Sequence, residues 1–493
     1  MLEASNFFAG FALGCLVYIG LQVLGSVPKR PHLPPGPKGI PLVGNLNDLP
    51  PPRVFEAHHW LKLKGLYGPI SSITVMGQTI IIINSWKLAS QLLDKRSAKH
   101  SSRPKIMMAG EMVGWENSLG FSPYNDRFRT HRKNMARMIG SKRAAAKYDK
   151  LQEAEVAHFL LHVLDDPERF MDHIRNRALQ GRHTHQNAGQ AMDNVTAAGV
   201  PGAFLVDILP LLRYVPCWFP GCELQETCQE MVFMLDDFTE KPYAFVKHQH
   251  ASGKQDNSFV SRLLEVGDST EEARFTTKWS ALSLYADGAD TKKAQEEIDC
   301  VIGNERLPNC SDRASLPYVN AIVKEVLRWN LVVPMGLPYI STVDDVFEGY
   351  FIPRDALIMA NIWYFAHDPE VHQDPMRFKP ERFLSTDGKQ PEQDPHTYTF
   401  GFGRRVCPGR VLADNALFLN IAQSLAVLHI RKDENGAQPE LLFTPGMISH
   451  PEPFKAAITP RSPQHEQLIR SLEHEFPWEE SDSHIIEMQG QAS

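Results

Sequence analysis

Phe400-Gly401-Phe402-Gly403-Arg404-Arg405-Val406-Cys407-Pro408-Gly409 is the stretch on which the reading of this chain turns. It sets one cysteine in a short loop, with Gly401 and Gly403 before it and Gly409 after it. Arg405 places a cation beside the sulfur, and an apolar run with helical spacing follows from Val411 to Leu428. A thiolate is a soft metal ligand, and at neutral pH it needs a positive field or a metal to exist. The glycines let backbone amides turn toward the sulfur and let a flat group lie against the chain. Read singly, Cys407 is a small buried hydrophobe, the common fate of a free thiol. Read with its nine neighbours, it is a candidate metal ligand.

Composition narrows the setting. With 493 residues, 43% hydrophobic and 22% charged, the chain has material for a large folded core. A net charge of −7 gives no electrostatic case for nucleic acid. The seven cysteines are scattered and odd in number, which fits a reducing compartment better than a disulfide framework. Cys217, Cys222 and Cys228 are close together, but their spacings fit no common metal site, so they read as free thiols.

Three further motifs stand upstream of the cysteine loop. Glu325-Val326-Leu327-Arg328 lies in a helical stretch, Tyr318 to Trp329, where i, i+3 spacing puts carboxylate and guanidinium on one face. Pro380-Glu381-Arg382-Phe383 adds a second arginine, and Asp287-Gly288-Ala289-Asp290-Thr291 pairs an acid with a hydroxyl after a glycine. Each is weak alone; an acid–threonine pair is often only a helix cap. In chain order, from Asp287 through Glu325 and Pro380 to F-x-x-G-x-R-x-C-x-G, the chain resembles the cytochrome P-450 family. It is most similar to fungal microsomal members that oxidise polycyclic secondary metabolites, such as the O-methylsterigmatocystin oxidoreductases.

The resemblance implies a mainly α fold with small β-sheets, the cytochrome P-450 fold, carrying an N-terminal transmembrane helix. It implies haem b with Cys407 as axial thiolate to iron, and a loop in which Phe400, Gly403, Arg405 and Gly409 help hold the cofactor. Arg132, in the basic helical stretch Arg127 to Arg137, stands where the family has W-x-x-x-R, whose Arg contacts a haem propionate. Here Phe128 replaces the Trp, and a solvated basic face is the other reading of Arg132. Tyr339 stands where relatives often have a histidine in P-H-R. Asp290 and Thr291 are the implied proton relay in oxygen activation, whereas Glu325, Arg328 and Arg382 are implied to be structural.

The N-terminus reads as an anchor. Phe7 to Val27 is nearly unbroken apolar sequence, and at about 1.5 Å per residue it reaches roughly 31 Å, enough for a bilayer core. Glu3 precedes it and Lys29 and Arg30 follow, which places the bulk of the chain on the cytosolic side and argues against a cleaved leader. The expected division is an anchor at 1–28, a proline-rich hinge at 29–50, a haem-thiolate monooxygenase domain at 51–460 and a polar tail at 461–493, disordered from Glu473 onward.

Within the body, Ser71 to Ile83 reads as two strands about a turn near Gly77-Gln78, and Glu153 to Ile174 as a helix. Tyr350 to Asn361 reads as a hairpin, as does Leu441 to Ile458. Ala178 to Val200 is polar and lacks an apolar stripe where relatives have an apolar helix. After Thr291 the chain turns at once to Lys292-Lys293-Ala294-Gln295-Glu296-Glu297, where relatives continue through several more apolar turns. The chain therefore reads as internally shortened.

The function expected is insertion of one oxygen atom from O2 into a hydrophobic small molecule in fungal secondary metabolism. Electrons would come from an NADPH–cytochrome reductase docking near Lys379 and Arg410, at the endoplasmic reticulum membrane with the catalytic domain cytosolic. The alternative is a non-catalytic or impaired haem-binding relative that lacks part of the oxygen-handling helix.

Overall fold

Four successive isoleucines, Ile80 to Ile83, are all buried in one strand, and the sheet is built around them. In this computed structural model, β1 (Ile70–Val75) and β2 (Gln78–Ile83) form a hairpin. Its turn puts Met76 and Gly77 at φ 48° and 86°, the doubly left-handed geometry that matches strand twist. The residues described are 32–51, 54–170, 173, 191, 194–200, 204–208, 210–215, 223–251, 292–385, 388, 390–432, 443–449 and 455–477. The span expected at 7–27 lies outside them. No described helix is long and apolar enough to cross a membrane.

The sheet order is β1-β2-β6-β3, with β3 (Tyr339–Ile340) and β6 (Leu357–Ala360) coming from far along the chain. β6 runs parallel to β2 and is buried along its whole length, as a strand covered on both faces must be. Tyr350 to Asn361 is therefore not one hairpin. β5 (Tyr350–Ile352) pairs with β4 (Asp345–Phe347), and Pro353 to Asp355 turns the chain away so that apolar Leu357–Ala360 can enter the larger sheet. The proline-rich hinge is held against this sheet: Ser72 N–H donates to Pro35 O at 3.0 Å. A Cβ on Gly36 would lie 1.8 Å from Ser72 O, so only glycine allows that approach.

The helical half packs around two core helices, α6 (Pro317–Trp329) and α8 (Arg410–Val427). The others needed here are α1 (Glu56–Tyr67), α2 (Asp126–Ile139), α3 (Asp149–Asp165), α4 (Glu223–Ala251), α5 (Lys292–Val301), α7 (Ile362–His367) and α9 (Pro463–Glu475). Pro317 opens α6 at a position whose N–H has no intrahelical partner anyway. Val319, Ile322, Val323 and Val326 then line one stripe, which packs with α3 and α8 into a single apolar cluster. Every residue of α8 from Leu417 to Val427 is buried, so this helix runs through the core.

Four expectations change here. The helix expected over Glu153 to Ile174 ends at Asp165, because Pro167 cannot continue it. Ala191, Val195 and Ala198 are buried, giving the end of the supposedly stripe-free segment a stripe of small side chains at helical spacing. The last residues of the hairpin expected over Leu441 to Ile458 belong instead to β8 (Ala456–Pro460), which pairs with β7 (Leu428–Lys432) at the end of α8, while residues 441–442 and 450–454 lie outside the described residues. Finally, residues 463–475 of the expected polar tail form α9, whose Ile469 and Leu472 are buried among α3 and α8.

Candidate functional site

The loop from Tyr398 to Gly409 crosses from the sheet side to the start of α8. Its shape is set by backbone contacts that demand particular residues. Cys407 N–H donates to Phe400 O at 2.8 Å, closing the loop on itself. Gly401 and Gly403 have φ 77° and 55°, conformations that cost an L side chain energy. At Gly403 a Cβ would sit 2.2 Å from Leu93 O, and its N–H donates to the Asp94 carboxylate. Phe402 is buried, and its N–H donates to Tyr339 Oη at 3.1 Å. Tyr339 thus serves as a backbone clamp on the loop in the position where relatives often have a histidine.

Around Cys407 the fields oppose one another. Burial pushes its thiol up; the N–H groups of Gly409 and Arg410 and the charges of Arg132 and Arg410 pull it back without winning. The protein alone therefore leaves a thiol, and stable thiolate character requires a cation bound directly to sulfur. Among the described residues no group of three or more His, Cys, Asp or Glu could hold a metal ion.

Three guanidinium groups converge near this loop. Arg405 is buried and donates to Ser101 O, Leu119 O and Ser122 O at 2.6, 3.3 and 2.8 Å. Arg132, on α2, donates to Val406 O. Arg103 is buried and donates to Gly120 O, Leu337 O and Pro338 O, all at 2.8 Å. No carboxylate pairs with any of the three among the described residues. Burial pushes Arg405 down, and the Arg103 and Arg132 charges push it further. A cluster of this kind is short of anions.

Behind the loop, Glu325 is fully buried and takes both Arg328 (Nε–Oε2 2.8 Å, Nη2–Oε1 2.9 Å) and Arg382 (Nε–Oε2 3.1 Å). Arg382 also reaches Glu392 at 2.8 Å, and Lys379 N–H donates to Glu325 at 2.6 Å. All three members read from sequence as a structural lock thus meet in one buried network.

The structure gathers Cys407, Arg405, Phe400, Gly403 and Gly409 in the loop, with Arg132 beside it. Asp290 and Thr291 lie outside the described residues. Sequence reasoning missed Arg103 and Asp94; the only available signal for the first was a cation set before Pro104 in the mixed stretch from Ser101 to Phe121.

Comparison with known proteins agrees with this geometry. The family model described as Cytochrome P450 matches residues 34–173 and 266–458. The chain is 44% identical to cytochrome P450 monooxygenase claR of Ampulloclitocybe clavipes over 491 residues, covering 92% of this chain and 91% of that one. It is 42% identical to cytochrome P450 monooxygenase ppsD of Aspergillus oryzae, over 92% and 94% of the two chains. Against O-methylsterigmatocystin oxidoreductase of Aspergillus flavus the identity is 37%, over 96% of each. The alignment to claR is longer than the part of this chain it covers, so a few dozen of its positions have no residue here. With a lone loop cysteine, a Glu-Arg-Arg lock and this identity along nearly the whole chain, the protein belongs to the cytochrome P450 family.

Proposed function

We propose that this protein is a haem-thiolate monooxygenase that inserts one oxygen atom from O2 into a hydrophobic small molecule in fungal secondary metabolism, with Cys407 as the axial ligand. The family implies haem with a cysteine thiolate. The observation that carries the reading here is the trio of guanidinium groups near the Cys407 loop that have carbonyl and aromatic partners but, among the described residues, no carboxylate. Haem b brings two propionates and an iron, the anions and the cation this site is short of. Cys407 would take the iron and Arg405 and Arg132 the propionates, while Phe400, Gly403 and Gly409 shape the loop. The bound haem supplies O2 activation and one-electron chemistry.

The chain's own part is to hold, exclude and deliver. Asp94 and Tyr339 hold the loop backbone at Gly403 and Phe402. Buried Phe402 and Tyr398 keep water from the loop. The Asp290 carboxyl and Thr291 hydroxyl are the proposed proton donors. An NADPH–cytochrome reductase is the proposed electron source, docking near Lys379 and the exposed Arg410. Residues 7–27 are the proposed membrane span, with the protein at the endoplasmic reticulum and residues 51–460 in the cytosol. Identity to cytochrome P450 monooxygenases along nearly the whole chain supports an enzyme over an impaired relative.

The ferrous carbon monoxide spectrum of the purified protein tests this. A thiolate-type Soret band that disappears in Cys407→Ala is the expected result. A neutral-ligand band in the parent protein, or a thiolate band that survives the substitution, refutes it.

A further inference from the structure

His396 sits outside the guanidinium cluster, one short loop upstream of Phe400. Its Nδ1 lies 2.7 Å from Asp394 Oδ1, and its Nε2 lies 2.9 Å from Asp414 Oδ1. The two carboxylates come from different elements: Asp394 precedes the short turn Pro395–Thr397, and Asp414 lies on α8, which starts three residues after Cys407. A carboxylate only accepts, so both contacts are satisfied together only when both ring nitrogens carry hydrogen. The ring stacks on Phe400, centroids 5.8 Å apart and planes 29° apart. The carbonyl of Phe400 is the acceptor for Cys407 N–H.

We propose that His396 is a positioning residue for the cysteine ligand, bridging Asp394 and Asp414 as an imidazolium and holding Phe400, and through it the Cys407 backbone, in register with α8. The inference rests on the haem-thiolate reading above. The other charges facing this bridge are Lys324 of α6, 2.7 Å from Asp394, and Arg313 of the segment Cys310–Ser315, 2.8 Å from Asp414. These two cations leave each carboxylate balanced without the imidazolium. The histidine's contribution is therefore directional: two N–H donors that tie two segments at one ring. Burial would lower the His396 pKa, but the hydrogen bonds and charges of Asp394 and Asp414 outweigh it and raise it to about 9. Above that pH the neutral ring keeps one donor, one carboxylate faces a lone pair, and the bridge opens.

The test is the ferrous carbon monoxide spectrum of the haem-loaded full-length protein between pH 6.5 and 10, for the parent, His396→Gln and Asp414→Asn. The parent is expected to lose thiolate-type absorbance in a one-proton step near pH 9. His396→Gln should abolish that step and lower the thiolate share severalfold at neutral pH. Asp414→Asn, which leaves the ring one carboxylate, should move the step down by about one pH unit. If His396→Gln takes up no haem, the Asp414→Asn shift alone decides. A thiolate band in the parent without the alkaline step, or a step unmoved in the variants, overturns this inference and leaves the haem-thiolate reading intact. A parent protein with no thiolate band at any pH overturns both.

Discussion

The guanidinium carbon of Arg405 lies 3.7 Å from the centroid of the Phe128 ring. The phenyl ring that stands where the family has an indole offers no N–H, but it provides a π face for the buried cation next to the ligand loop. Replacing it with an aliphatic side chain should keep the burial and lose the cation–π term. Phe128→Leu is expected to lower stability by about 1–2 kcal/mol. A urea titration of the purified protein reads this directly, with haem content falling in parallel.

The Glu325 network is a buried charge cluster with no exposed members among its three central side chains. Arg382→Ala would leave Glu325 and Glu392 short of a cation, and breaking a buried pair from one side costs about 3–5 kcal/mol. Loss of soluble, haem-competent protein on expression is expected. Recovery of normal yield and an unchanged unfolding midpoint would contradict the reading of the network as a lock.

Gly403 combines φ 55° with an approach to Leu93 O that leaves no room for a Cβ. Gly403→Ala should cost at least about 1–2 kcal/mol from the left-handed backbone alone, and the clash forces the loop away from Asp94. Haem incorporation per mole of protein should drop well below that of the parent. Gly349→Ala is the control: it too has positive φ, but a Cβ there meets no atom within 4 Å.

Asp345 ties β4 to the segment before Ser101, accepting from Arg96 at 2.9 Å, Lys99 at 2.6 Å and His100 at 3.1 Å. Burial would raise its carboxyl, but hydrogen bonds from Lys99, Arg96 and His100 overcome that and hold it well below the usual carboxylate range. A depressed folded-state pKa gives stability that is fully present above the unfolded value of 3.8 and is lost as pH falls through the folded value. Thermal melts of the parent should therefore steepen in their decline below about pH 4, and Asp345→Asn should flatten that acid limb. Equal slopes for the two proteins would sink the assignment.

Much of the site could be read from the chain because its parts are local. Cys407, Arg405, Gly403 and Gly409 lie within seven positions of one another, and Glu325 and Arg328 share one helix face by spacing alone. Short-range geometry of that kind survives any arrangement of the rest. Arg103 and Asp94 were missed because their roles depend on partners more than 200 positions away, at Leu337 and Gly403. The β1–β2 hairpin was local and held, but the pairing expected for Leu357–Ala360 failed for the same reason. Leu357–Ala360 has the pattern of a fully buried strand, but that pattern does not say which neighbour covers it, and the turn at Pro353 to Asp355 sends it to β2 rather than back to β5.

The sequence by itself singled out Cys407 as the candidate ligand and put Glu325 and Arg328 on one helix face, since both follow from residue type and spacing within one turn or loop; Arg382 and the mainly helical fold came from the resemblance those motifs carry. Only the tertiary structure decided what Phe128, Tyr339 and His396 do. An aromatic ring, a hydroxyl and an imidazole acquire a role from whatever lies within a few ångströms, and here those neighbours are a guanidinium, a backbone amide and two carboxylates brought in by folding.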